Sequence, residues 1–173
     1  MSKARWARVL IVEDSPTAGR VLSEGISRDS RLAVAGVATT AKEAMSMAIL
    51  LKPDVMTLDL MLPDQNGLGV IRNITEHANL PIIVVTSLPA EGADSLPFQA
   101  LEAGATDVVA KPNGDAASLR RFFDDLNERL KDASANFRDF DAQTRAFMKE
   151  SPFVALAAAI AGGFLLGRLL SRL

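Results

Sequence analysis

The chain has 173 residues, a net charge of −2 and no cysteine. That length allows one ordinary domain plus an appendage, and the missing cysteines exclude disulfides, thiolate metal sites and cysteine nucleophiles. Hydrophobic residues make up 49%, enough for a full core, and residues 1–133 hold 14 basic against 18 acidic side chains, which argues against a nucleic-acid partner.

Apolar runs of strand type recur along the chain with helical patterns between them. Val9 to Val12 is short and continuous, as expected for a strand buried on both faces. It stops at Glu13-Asp14, too soon for a signal-peptide core. Ser15 offers an N-cap and Pro16 fits a first helical turn; Ala18, Val21, Leu22, Gly25 and Ile26 follow at helical spacing. Leu32 to Val37 reads as the second strand, and Ala41, Ala44, Met45, Ala48 and Ile49 as the next helical face, ended near Lys52-Pro53. Asp54 to Asp59 is the third strand, Pro63 to Gly67 is turn chemistry, and a helix from 67 to 77 follows. Pro81 to Thr86 is the fourth strand. A helix near 93–103 ends at Gly104, a C′ glycine. Thr106 to Ala110 is the fifth strand, and Asp115 caps a last helix with Leu119, Phe122, Phe123, Leu126 and Leu130 on one face. Five strand–helix alternations predict an α/β domain with a parallel sheet.

Four polar sites fall at the C-terminal ends of four of these strands: Glu13-Asp14, Asp59, Thr86 and Lys111. Open parallel sheets bind ligands beyond the carboxyl ends of their strands, so these residues are expected to converge. Three acids in one cleft repel one another, and a divalent cation held by oxygens relieves that repulsion. A carboxylate can also act as a nucleophile and form an aspartyl-phosphate. Lys111 would then supply charge, and Thr86 a hydroxyl, to the phosphoryl group. Taken singly, an acid after a strand is most often a turn or cap residue; the order of the set is what favours chemistry.

The stretches Val-Leu-Ile-Val-Glu-Asp-Ser (9–15), Pro-Asp-Val-Met-Thr-Leu-Asp-Leu-Met-Leu-Pro-Asp-Gln-Asn-Gly (53–67), Val-Val-Thr-Ser (84–87) and Gly-Ala-Thr-Asp-Val-Val-Ala-Lys-Pro (104–112) carry a resemblance. Over about residues 7–131 the chain resembles response-regulator receiver domains. Within that family Thr-Leu-Asp, Thr-Ser-Leu and Ala-Leu-Glu-Ala-Gly-Ala look most like the receiver half of chemotaxis methylesterases. The resemblance implies a flavodoxin-like sheet of order 2-1-3-4-5 flanked by five helices, with Asp59 as phosphoacceptor. It implies Mg²⁺ held by Asp14, Asp59 and the backbone carbonyl of Met61, with Glu13 acting through a water, and Thr86 and Lys111 on the phosphoryl oxygens. It implies no turnover enzyme, but a partner of a sensor histidine kinase or phosphotransfer protein in the cytoplasm. Two departures stand out. Val108 lies where the family usually has an aromatic that reports phosphorylation. Met61 and Leu88 are apolar where some relatives orient an attacking water, which predicts a long-lived phosphoryl group. A scaffold or phosphate sink of the same fold is the alternative function. His77, on a predicted solvated helix, and Gly67-Leu-Gly69, a turn and helix start, are read as structural.

Three segments are expected: a receiver domain over 1–133, an amphipathic helical connector over 134–150 with Phe137, Phe140, Phe147 and Met148 at helical spacing, and an apolar helix over 151–173. Nothing after residue 131 resembles an esterase domain or a DNA-reading helix-turn-helix. Pro152 to Gly167 is 16 residues without a charge, close to the roughly 20 of a spanning helix. It resembles the tail of small bacterial membrane-anchored, ribosome-associated proteins. An inner-membrane tether is therefore expected, with Gly163-x-x-x-Gly167 as a self-association motif. Arg168 and Arg172 would then face outward, against the positive-inside tendency.

Overall fold

A computed structural model describes residues 6–150 apart from 90, 91, 93 and 113, with the backbone alone at 145, 147, 148 and 150. Among the described residues the chain alternates β1 (Ala7–Val12), α1 (Pro16–Ile26), β2 (Leu32–Ala38), α2 (Ala41–Leu51), β3 (Val55–Leu58), α3 (Gly67–His77), β4 (Ile82–Thr86), α4 (Leu96–Glu102), β5 (Asp107–Ala110) and α5 (Ala116–Glu150). The strands pair in parallel in the order β2-β1-β3-β4-β5, the predicted topology.

The strands are mainly apolar because helices cover both faces. Leu10, Val12, Met56, Leu58, Ile82 and Val84 face the side packed by α2, α3 and α4. Val9, Ile11, Val55, Ile83 and Val85 face α1 and α5. Each fully buried aliphatic side chain contributes about 1.5–3 kcal/mol, so this double-sided core is what holds the strand ends in place. The helices begin where their caps allow. Ser15 Oγ accepts from Ala18 N, with Pro16 in the first turn, and Thr40 Oγ1 accepts from Glu43 N while Glu43 reaches back to Thr39 N. Lys52 ends α2 in the left-handed region just before Pro53.

One element differs from expectation at its start. α4 begins at Leu96 rather than near 93, because Ser95 caps it and Pro97 occupies its first turn. α5 runs unbroken to Glu150, through the segment expected as a helical connector; no glycine or proline lies between 116 and 150 to end it. The chain divides into compact units at 1–137 and 138–173. Unit 1 holds the sheet. Of unit 2, the structure describes the last turns of α5, where Phe140 is exposed. No helix among the described residues is long and apolar enough to cross a membrane. The expected anchor over 151–173, with Gly163 and Gly167, lies outside them.

Candidate functional site at the carboxyl edge of the sheet

β1 is hydrogen-bonded on one side to β2 and on the other to β3, so the connections from β1 and β3 leave the sheet in different directions and open a crevice. Glu13, Asp59, Thr86 and Lys111 come together at this edge. β1 ends at Val12, so Glu13 and Asp14 emerge there; β3 ends at Leu58, so Asp59 follows; Thr86 closes β4; and Lys111 follows β5. The backbone locks these ends to one another: Asp59 N donates to Val12 O at 3.0 Å and Lys111 N to Thr86 O at 2.9 Å.

Glu13 and Asp59 are buried at 2% and 7% exposure, and buried carboxylates need partners. The Lys111 ammonium supplies them, with Nζ 2.7 Å from Glu13 Oε2 and 2.5 Å from Asp59 Oδ2. The second oxygens take backbone donors: Met61 N to Asp59 Oδ1 at 3.1 Å and Ser15 N to Glu13 Oε1 at 3.4 Å. Burial works against the Lys111 charge, but the carboxylates of Asp59 and Glu13 outweigh it and hold its pKa above the ordinary lysine value. Thr86 is buried, and its Oγ1 accepts from Leu88 N at 3.3 Å, which leaves the hydroxyl proton available to a ligand.

Asp14 is exposed and makes no hydrogen bond or ion pair among the described residues. One oxygen each from Glu13, Asp14 and Asp59 lie within 4.8 Å of one another. Hard carboxylate donors at this spacing, one of them uncommitted, fit a divalent cation of the Mg²⁺ type. Met61 is exposed, and its backbone reaches Asp59 through the amide; it also pairs with Asn66 across the loop. Gly67 is required by close approach, since a Cβ there would lie 2.8 Å from Leu60 Cα and 3.0 Å from Asp59 O.

Asp64 was not singled out from the sequence, because an acid after Pro63 in a polar turn is ordinary turn chemistry. The structure bonds it to the start of α2. His77 ends α3 with Nδ1 2.9 Å from Asn73 O, on the surface and outside the crevice. Val108 is half-buried and lines an open groove with Pro112, Arg121 and Phe122.

Residues 9–122 match the family described as the response regulator receiver domain. The chain is 37% identical over 148 residues to protein-glutamate methylesterase/protein-glutamine glutaminase 2 of Carboxydothermus hydrogenoformans, covering 85% of this chain and 41% of that protein. It is 43% identical over 129 residues to the corresponding enzyme of Agrobacterium fabrum, covering 74% and 35%. The chain thus spans about two fifths of the length of these curated relatives. Among solved structures, the response regulator domain of Thermotoga maritima CheB aligns with a TM-score of 0.69 and 36% identity, over 76% of this chain and 98% of that one.

Proposed function

The chain belongs to the response regulator receiver domain family, and on that premise we propose that it accepts a phosphoryl group on Asp59 and relays the event through a protein–protein contact. The observation that supports this most is the Lys111 ammonium held 2.5 Å from a buried Asp59 carboxylate beside two further acids. In the transfer, an Asp59 oxygen attacks the phosphorus of a phosphohistidine. The new O–P bond forms as the N–P bond breaks, and the electron pair leaves with the imidazole nitrogen, which then takes a proton. Lys111 and the Thr86 hydroxyl bind the phosphoryl oxygens, so Lys111 exchanges part of its carboxylate pairing for the incoming group.

Asp14, Asp59 and the Met61 carbonyl would hold Mg²⁺ directly, and Glu13 through a water. The ion, when bound, offsets the negative charge collected by the acids and the phosphoryl oxygens. The donor is a sensor histidine kinase or phosphotransfer protein; likeness to methylesterase receiver halves favours one of chemotaxis type. Incubation with Mg²⁺ and a small acyl phosphate tests the reading: wild type gains the mass of one phosphoryl group and Asp59→Asn does not. No gain in wild type, under conditions that label another receiver, would sink it.

Val108 favours a second reading, a scaffold or phosphate sink without a phosphorylation-dependent output, since no ring sits on β5 to follow a displaced Thr86 hydroxyl. Equal binding of a captured partner by the phosphorylated protein and by Asp59→Asn would decide for it. Membrane attachment through 151–173 rests on the uncharged run Pro152 to Gly167. Fractionation of the full chain beside a 1–150 truncation tests it: an alkaline-washed pellet holding the full chain alone supports an anchor.

A further inference from the structure

The loop from β3 to α3 carries two groups the proposed chemistry uses: the Met61 amide on Asp59 Oδ1 and the Met61 carbonyl. Its base is closed on itself, because Met61 bridges to Asn66 and Gly67 N donates to Leu60 O at 3.0 Å. Self-closure gives the loop a shape but does not fix its tip against the crevice. Leu62 is only partly buried against the core, and Pro63 and Gln65 are exposed. Asp64, at the tip, reaches another element. Its Oδ1 accepts from Ala41 N at 2.9 Å and its Oδ2 from Lys42 N at 3.2 Å.

These amides are the first two of α2, donors without partners inside the helix. One carboxylate spanning both gains from their charge and from the helix dipole. The Ala41 amide first, with Lys42 beside it, holds the Asp64 carboxyl below the usual carboxylate range, so it stays charged at neutral pH. α2 has its own N-cap in Thr40, which takes the third amide, that of Glu43, at 3.1 Å. Asp64 therefore adds a link between elements on top of a helix already capped. The start of α2 also stands at the sheet edge that carries the acids: β2 ends at Ala38 opposite Val12, and Glu13 N donates to Ala38 O at 2.9 Å.

We propose that Asp64 is a positioning residue, a strap from the β3–α3 loop to the first turn of α2 that holds the Met61 backbone where a cation and the Asp59 phosphoryl group need it. The proposal rests on the phosphoryl-acceptor reading above. Asp64 touches neither the acids nor any ligand; it acts through the loop.

The test uses the full-length protein, with Mg²⁺ titrated by calorimetry, phosphorylation rates measured with a small acyl phosphate at several Mg²⁺ concentrations, and thermal unfolding. Asp64→Ala is expected to raise the Mg²⁺ Kd about fivefold, below the range for groups that touch a ligating side chain directly. It slows phosphorylation at low Mg²⁺ and recovers the wild-type rate at saturation. Asp64→Asn, which keeps one acceptor, falls between. Thr40→Ala weakens the same helix terminus and lowers Tm but leaves the Mg²⁺ Kd within about twofold of wild type. An unchanged Kd in Asp64→Ala, or an equal shift in Thr40→Ala, overturns the strap. A wild type that neither binds Mg²⁺ nor takes a phosphoryl group overturns the parent reading, and the strap with it.

Discussion

Lys111 Nζ lies 2.7 Å from Glu13 Oε2, although 98 residues separate them and β3 and β4 stand between their strands. The Glu13 side chain is 2% exposed and that of Lys111 23%, so the pair spans the crevice floor out of reach of most solvent. Breaking such a pair leaves an uncompensated buried charge, which costs far more than the pair itself contributes.

Lys111→Met should therefore lower stability by about 2 kcal/mol or more without divalent cation, and raise affinity for Mg²⁺, which no longer competes with an ammonium. Adding Mg²⁺ should recover part of the loss by mass action. Urea unfolding of the variant with and without Mg²⁺ checks both parts. A variant whose stability ignores Mg²⁺ would mean that the three acids do not form a cation site.

Alkaline pH probes the same contact. Burial depresses the Lys111 pKa, but Asp59 and Glu13 more than reverse that, so the folded value stands above the ordinary 10.5. A raised folded pKa means that the ammonium's stabilisation is fully present below 10.5 and is lost as pH climbs through the folded value. Wild type should lose stability above pH 10.5 more steeply than Lys111→Met, read from unfolding midpoints across that window. Parallel curves would remove Lys111 as the cause.

Gly25 tests the packing behind the site. A Cβ there would lie 2.1 Å from the Phe123 ring, and Phe123, 6% exposed and edge-on to Phe122, has little room to move. Gly25→Ala should cost about 1–3 kcal/mol from overpacking. Combined with Phe123→Leu it should cost less, giving a favourable coupling in a double-mutant cycle. Simple additivity would place the clash elsewhere.

The phosphoryl group on Asp59 should outlast a few seconds in the purified protein. Met61 is exposed at the crevice but apolar, and Leu88 packs against the core, so neither orients a water for attack. Met61→Asn should shorten the lifetime several-fold, followed as loss of the phosphoryl mass. A wild-type half-life of a few seconds or less would contradict this.

The crevice was legible because β1, β3, β4 and β5 each carry an apolar run that ends at a polar residue. All four residues of β3 are buried and Asp59 is the next in line, so Asp59 marks the strand end unaided. The bonds of Asp64 to Ala41 and Lys42 were not legible, since they join a loop tip to a helix 22 and 23 residues earlier and depend on how both leave the sheet. The intimacy of Gly25 with Phe123 was hidden for a similar reason. Helical spacing puts Gly25 on an apolar face but says nothing of which helix comes closest. Helical residues were legible on both sides of residue 133, but not that they form one unbroken α5, since the change of composition there marks a segment boundary. A helix needs no apolar face to continue once its backbone bonds propagate and no breaker intervenes.

Among the described residues β5 is an edge strand, paired to β4 through Ile83 to Thr86 against Asp107 to Ala110 and without a strand partner on its other side. Short edges are where native proteins open at least cost, in fluctuations well below global unfolding. When β5 lifts, it carries Lys111 away and leaves Glu13 and Asp59 facing each other without a counter-charge. A bound divalent cation would ease that repulsion, so the same ion that prepares the crevice would also make its edge easier to open. Amide exchange at Val108 to Ala110 would then quicken with Mg²⁺, tying the breathing of one strand to the metal occupancy at the ends of two others.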